Sequence, residues 1–259
     1  MAEIITADHG KESGHWYKHN GSPAYTIIGS NGKERPTTLR DARKLGLVPG
    51  VSTINKCAAA PGLDNWKIDQ AILSALTLPR LSEEPEAAYL SRIKLDAREQ
   101  AKKAAERGTL IHAYAQKGFS ASPQPSPREA MPYILCVKAK LLDECGPCDW
   151  ICEQSFATDK YGGKPDLHSD KYLIDIKTTD KDMAKLETWP EQHMQLAAYE
   201  NGLGRNSRKC GILYIHKDTA ESRLIWIESK ELEKGWKMFE ALLSYYYAKT
   251  NLDIQPEGA

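Results

Sequence analysis

Gly162-Gly163-Lys164-Pro165-Asp166-Leu167-His168-Ser169-Asp170-Lys171-Tyr172-Leu173-Ile174-Asp175-Ile176-Lys177-Thr178-Thr179 is the stretch on which the fold turns. Turn-forming residues separate two apolar runs, the pattern of two strands joined by a tight β-hairpin. Side chains alternate along a strand with period two, so Asp175 and Lys177 leave one face and Ile176 the other. Asp166, nine positions before Asp175, joins them from the neighbouring strand. Charges inside an apolar strand are costly unless paired or metal-bound. An internal Asp–Lys ion pair on an edge strand answers that cost. So does a hard cation held by the two carboxylates, with the lysine beside its water.

Outward from this hairpin, the pattern predicts strands at 150–158, 163–168, 172–179, 209–217 and 222–228, with helices at 188–201 and 230–249. Upstream it predicts helices at 64–78, 84–117 and 131–145, the second rich in Ala, Glu, Lys and Arg. The prolines and serines of 120–127 read as a loop. Residues 15–54 read as a small β element with turns at Asn20-Gly21, Asn31-Gly32 and Pro49-Gly50. The expected architecture is an α/β (α+β) fold in one unit, an α-rich first half packed on an α/β second half. Its parts are a β/loop segment 1–63, a helical region 64–147 and a core 148–250.

Apolar residues make up 41% of the chain and charged residues 27%, ordinary values for a globular protein. The formal net charge is zero, which removes any global basic field as a sign of nucleic acid. No run approaches the roughly 18 apolar residues of a membrane helix. The first residues lack the basic and apolar regions of a signal peptide, so a cytoplasmic setting is expected. Six cysteines suit that setting as thiols. The Cys145, Cys148, Cys152 spacing invites a zinc or iron–sulfur reading, but a fourth nearby ligand is missing, and Cys152 also suits a buried strand position.

His112 lies on a stripe of small residues, Ala101, Ala104, Ala105, Gly108 and Ala115, that lets a helix rest closely on a sheet. It reads either as a satisfied core histidine or as a third ligand for the acidic hairpin. Gln195 and Tyr199 share a helical face by the i, i+4 rule. They read as a polar helix edge or as a phosphate-orienting amide with a phenol that braces it or stacks on a base. Glu153, one strand earlier, is a candidate for reaching a metal through water. Two basic groups, Arg35, Arg40, Arg43 and Lys44, and Arg92, Lys94, Arg98, Lys102, Lys103 and Arg107, are solvated faces or backbone-gripping surfaces. Trp16, Tyr17 and Trp66 are core aromatics or base-stacking platforms.

Gly108-x3-His112, Asp166, Asp175-x-Lys177 and Gln195-x3-Tyr199, in that order, resemble the PD-(D/E)XK nuclease superfamily. The likeness is to its RecB-like and phage-exonuclease branch, which includes the mitochondrial genome maintenance exonuclease. It covers about residues 105–230, and Leu47–Ile54 with Leu63–Lys67 looks like the N-terminal segment of phage members. The resemblance implies a restriction-endonuclease-like core and an Mg²⁺- or Mn²⁺-dependent DNA exonuclease of replication, recombination or repair, working in the host cytoplasm if phage-encoded. It implies metal binding by His112, Asp166, Asp175 and the Ile176 carbonyl, with Lys177, Gln195 and Tyr199 completing the catalytic set. Arg98, Lys102, Lys103 and Arg107 are then expected to grip DNA. The implied partners are DNA, a single-strand annealing or recombination protein, and further copies of the chain. A structure-specific endonuclease and an inactive DNA-binding or assembly protein are the alternatives. Relatives in that branch that hold an iron–sulfur cluster place their cysteines differently, so no cluster is expected.

Overall fold

Two apolar runs, residues 172–179 and 209–216, lie parallel at the centre of the protein, with Asp175 opposite Ile212 and Lys177 opposite Tyr214. The structure is a computed structural model that describes residues 14–59, 61–119, 126–204 and 208–252. In chain order it begins with β1 (Trp16–Tyr17), β2 (Thr26–Ile28), β3 (Glu34–Pro36), α1 (Leu39–Leu45), β4 (Val48–Pro49) and α2 (Val51–Asn55). The helices α3 (Pro61–Thr77), α4 (Glu86–Lys117) and α5 (Met131–Cys145) follow. Then come β5 (Ile151–Cys152), β6 (Phe156–Ala157), β7 (Gly162–Gly163), β8 (Leu167–His168), β9 (Tyr172–Thr179), α6 (Pro190–Gly202), β10 (Lys209–His216), β11 (Ser222–Trp226) and α7 (Ser229–Thr250). The expected loop at 120–127 and the chain start lie mostly outside the described residues.

One five-stranded mixed sheet runs β11-β10-β9-β8-β5. Only β9 and β10 are parallel, and α6 supplies the crossover that a parallel pair requires. Alternation along β9 sorts the sheet into two faces. Leu173, with Ile212 and Tyr214 of β10, packs on Met194, Leu196 and Phe239 of α6 and α7. Ile174 and Ile176 pack on Ile111 and Ala115 of α4 and on Val137 and Leu141 of α5. The expected mixed sheet flanked by helices is therefore present.

Two expected strands are broken. In place of 150–158 there are β5 and β6, in different sheets, because Glu153 takes a left-handed conformation (φ 52°) that ends the first of them. In place of 163–168 there are β7, which pairs with β6, and β8, which pairs with β9. Lys164, Pro165 and Asp166 lie between them, and proline has no N–H to extend a ladder. The first long helix starts at Pro61 rather than 64.

The small-residue stripe on α4 serves only in part. Ala104 and Ala105 are exposed, and α4 packs on α3 as well as on the sheet. Between the two helices, Ser74 Oγ donates to Asp96 Oδ2 at 2.8 Å. Gly108 does rest on the sheet, where an added Cβ would lie 3.0 Å from Thr178 Oγ1. Among the described residues no helix is long and apolar enough to cross a membrane.

Helices α6 and α7 cross so closely at Gly235 that a Cβ there would lie 2.7 Å from His193 O. Intrinsic propensity alone favours alanine by up to about 1 kcal/mol in a helix interior. Overpacking against main chain costs about 1–3 kcal/mol. Gly235→Ala is therefore expected to lower the urea midpoint at unchanged m-value; a raised midpoint contradicts the close crossing.

Candidate active site

The β8–β9 ladder has only two rungs, Leu167 with Ile174 and His168 with Leu173. Where the next main-chain bond would fall, the carboxylate of Asp166 accepts the Ile176 N–H through Oδ2 at 2.7 Å. Glu153 N–H donates to the Asp166 carbonyl at 3.2 Å, so both strands that flank Asp166 tether it. The hairpin thus brings Asp166 against the free edge of β9 beside Asp175.

Asp175 is almost wholly buried, with 3% of its side chain exposed. Lys177 Nζ stands 2.6 Å from Asp175 Oδ2. That ammonium is the close partner of the buried Oδ2. Lys177 Nζ also donates to Gln195 Oε1 at 3.2 Å, and Gln195 Nε2 donates to the Tyr199 hydroxyl at 3.0 Å. Gln195 and Tyr199 share one face of α6, as their spacing requires. Tyr199 is 6% exposed within the core, so it braces Gln195 and has no face free for a base, which corrects one expectation. Trp16 and Tyr17 are likewise core residues rather than stacking platforms.

His112 arrives from the opposite layer, on α4, and its Nδ1 lies 3.5 Å from Asp166 Oδ1. The site therefore straddles the sheet where β8 leaves β9. One residue that sequence reasoning missed is Gln116, whose Nε2 donates to Asp166 Oδ1 at 3.2 Å. Its signal was available, since it lies one helical turn beyond His112.

The four ionisable groups lean on one another. Burial pushes Asp175 above the usual carboxylate range, against the pull of Lys177 and with the repulsion of Asp166. Burial opposes charge at Asp166 too, but the hydrogen bond and charge of His112, the charge of Lys177 and the Ile176 N–H hold it below that range. Burial disfavours the cations, yet Asp166 holds His112 above the ordinary histidine value, and Asp175 and Asp166 together do the same for Lys177. Tyr199 is pushed far up by burial and stays protonated.

Among the described residues no three His, Cys, Asp or Glu side chains stand together as a ready-made metal cage. The donors nevertheless suit a hard divalent cation in kind: two carboxylates, one imidazole and a main-chain carbonyl. The buried Asp175 Oδ2, answered here by the Lys177 ammonium, is an atom that such a cation would contact in its place.

The remaining candidates lie elsewhere. Glu153 turns to Lys164, 3.1 Å from its Nζ. Arg107 pairs with Asp218 at 2.9 Å and donates to Lys217 O, while Arg98, Lys102 and Lys103 are exposed on α4. In the other basic group Arg35 grips Asp41 with two bonds of 2.7 and 2.8 Å, and Arg43 donates to Thr250 O. Cys145 and Cys152 pack beside the α4–α5 core, and burial pushes both thiols up to about 11.

No family model matches the chain, and no curated protein matches it. Solved structures similar to it include an alkaline exonuclease from Laribacter hongkongensis, at 14% identity over 54% of this chain and 92% of that one, with a TM-score of 0.29. The same enzyme in complex with dAMP matches at 16% identity over 54% and 92%, with a TM-score of 0.28. A protein from Eubacterium rectale assigned as an exonuclease matches at 12% identity over 57% of this chain and 69% of that one, with a TM-score of 0.39. Likeness at this level fixes no shared activity.

Lys177→Met leaves the buried Asp175 without its cation, which is expected to cost about 3–5 kcal/mol of stability at neutral pH. Adding Asp175→Asn to that variant should recover more than half of the loss. A double-mutant cycle in urea checks this; additive single effects contradict a coupled pair.

Proposed function

We propose that the protein is a metal-dependent DNA exonuclease of the PD-(D/E)XK kind. The observation that carries this reading is the meeting of His112, Asp166, Asp175, Lys177 and Gln195 at one sheet edge, in the motif order of that superfamily. Asp166, Asp175, His112 and the Ile176 carbonyl would hold a divalent cation. When bound, such a cation supplies Lewis-acid polarisation of a phosphate and a lowered pKa for an attacking water.

The chain's own groups carry the rest. Lys177, steadied by Gln195 Oε1 at 3.2 Å, orients the water and offsets charge on the phosphate. Tyr199, held protonated in the core, fixes the Gln195 amide so that its oxygen faces Lys177. Asp166 keeps His112 turned inward and joins β8 to β9 through Ile176. Arg98, Lys102 and Lys103 on the exposed face of α4 are the proposed contacts to the DNA backbone, giving salt-sensitive, sequence-tolerant binding.

A second reading has its own support: Lys177 already answers Asp175 and His112 already answers Asp166, as in a self-neutralised cluster that binds or assembles without turnover. Calorimetry with Mg²⁺ and Mn²⁺ separates the two, since that reading expects no binding of either.

Wild-type protein should degrade labelled linear DNA with Mg²⁺ or Mn²⁺, lose that activity in EDTA, and leave a closed circle uncut. Asp175→Ala and Lys177→Ala should each lower the rate by about a thousandfold with the circular dichroism of the folded protein retained. Full activity in Asp175→Ala refutes the proposal, and cutting of the circle moves it to an endonuclease.

A further inference from the structure

Cys145-Gly146-Pro147-Cys148 joins the end of α5 to the approach to β5, and the hydrolytic reading gives it no part. Two cysteines at this spacing suit either a metal or thiol–disulfide exchange. Helix α5 closes at Cys145, where Gly146 N–H donates to Leu142 O at 3.0 Å. Gly146 then takes φ 71°, a positive value that glycine adopts readily, and the chain bends at Pro147. Disulfides close over Cα separations of up to about 7 Å, the span of a four-residue turn. Both side chains are half-buried free thiols, near enough that charge on Cys148 opposes charge on Cys145.

The surroundings favour exchange over a metal. A structural zinc takes four ligands, and among the described residues no three His, Cys, Asp or Glu side chains stand together. Cys152 belongs elsewhere, since its Sγ donates to Gln116 O at 3.8 Å and the charges of Glu153 and Asp166 act on it. Beside Cys145, Glu144 accepts from Trp226 Nε1 at 3.3 Å, and Lys209 Nζ lies 4.0 Å from the centre of the Trp226 ring. Burial, with the charges of Cys148 and Glu144, keeps the Cys145 thiol protonated against the pull of Lys209. That suits Cys145 to the second step of an exchange, after a first attack by its neighbour.

We infer that Cys145 and Cys148 form a redox-active dithiol that exchanges with low-molecular-weight disulfides and closes to an internal disulfide. Cys148, beyond the bend, attacks one sulfur of the small disulfide as its thiolate. That S–S bond breaks, a mixed disulfide forms on Cys148, and one small thiol leaves with the proton that Cys148 gave up. Cys145 then attacks Cys148 Sγ, which closes the Cys145–Cys148 bond and releases the second small thiol with the proton from Cys145. The chain loses two electrons and the small disulfide gains them. The closed form ties the end of α5 to the residues leading into β5, next to Glu153, whose N–H tethers Asp166. The inference stands whether or not the protein hydrolyses DNA.

The test treats the folded wild-type protein, cleared of metal with EDTA, with oxidised glutathione and reads thiols, intact mass and mapped peptides. Two of the six thiols should disappear, with the mass lower by two hydrogens and no glutathione attached. The bond should map to Cys145 and Cys148, and dithiothreitol should return both thiols. Cys145→Ser should stop at a stable glutathione adduct on Cys148, because no second thiol is left to resolve it. Cys148→Ser should form no internal bond, and Cys152→Ser should still lose two thiols. Survival of all six thiols in folded wild type, an adduct that persists on it, or a bond that maps to Cys152 overturns the assignment. So does zinc that wild type retains through purification and Cys145→Ser loses, which makes the pair a metal site instead.

Discussion

The Ile176 N–H finds its acceptor in the Asp166 carboxylate, at 2.7 Å, where a strand neighbour would otherwise stand. A buried main-chain donor left without a partner costs about 1–3 kcal/mol, so this bond is a condition of β9 remaining a strand beyond the two rungs of β8. It also sets where everything else meets. Because β8 stops short, the edge of β9 is open at the level of Asp175 and Lys177, and His112 can reach Asp166 from the α4 layer. A longer β8 would cover that edge with main chain. Pro165, which has no N–H to give, helps end the ladder there.

Burial makes the cluster interdependent. Asp175 sits deep in the sheet while Lys177, two residues on, keeps its ammonium at the mouth. Desolvation disfavours every charge in the group, and each is retained because a partner of opposite sign lies within a few ångströms. Gln195 and Tyr199 add direction rather than charge, one amide fixed by one phenol. Such an arrangement is held before any ligand arrives, which is what electrostatic stabilisation of a reacting phosphate needs.

Much of this was legible in the chain. Alternation separated Asp175 and Lys177 from Ile176, and the 3.6-residue repeat put Gln195 with Tyr199. Gly108 correctly marked where α4 lies on the sheet. What could not be read depended on tertiary packing. Ala104 and Ala105 match the same stripe, but the sheet contact made at Gly108 does not extend back to them, and they face water. The run 150–158 begins and ends with strand-forming residues, yet Glu153 in its middle adopts a left-handed turn that hands its N–H to Asp166 O. Tyr199 could have been a platform for a base until its burial was known. Ser52 and Asn55 come from a short helix, and its approach to α3 and α6, which places them in one cleft with Lys177 and Gln195, could not be read from the chain.

The central claim is that Asp166, Asp175 and His112 are the ligands of one hard cation at the edge of β9. Its most direct test is an anomalous difference map from crystals of the wild-type protein soaked in Mn²⁺. The account predicts one strong peak in contact with both carboxylates and the imidazole, with the Lys177 ammonium moved off Asp175 Oδ2. A well-diffracting crystal with no peak there at millimolar Mn²⁺, and Lys177 still seated on Asp175, contradicts it.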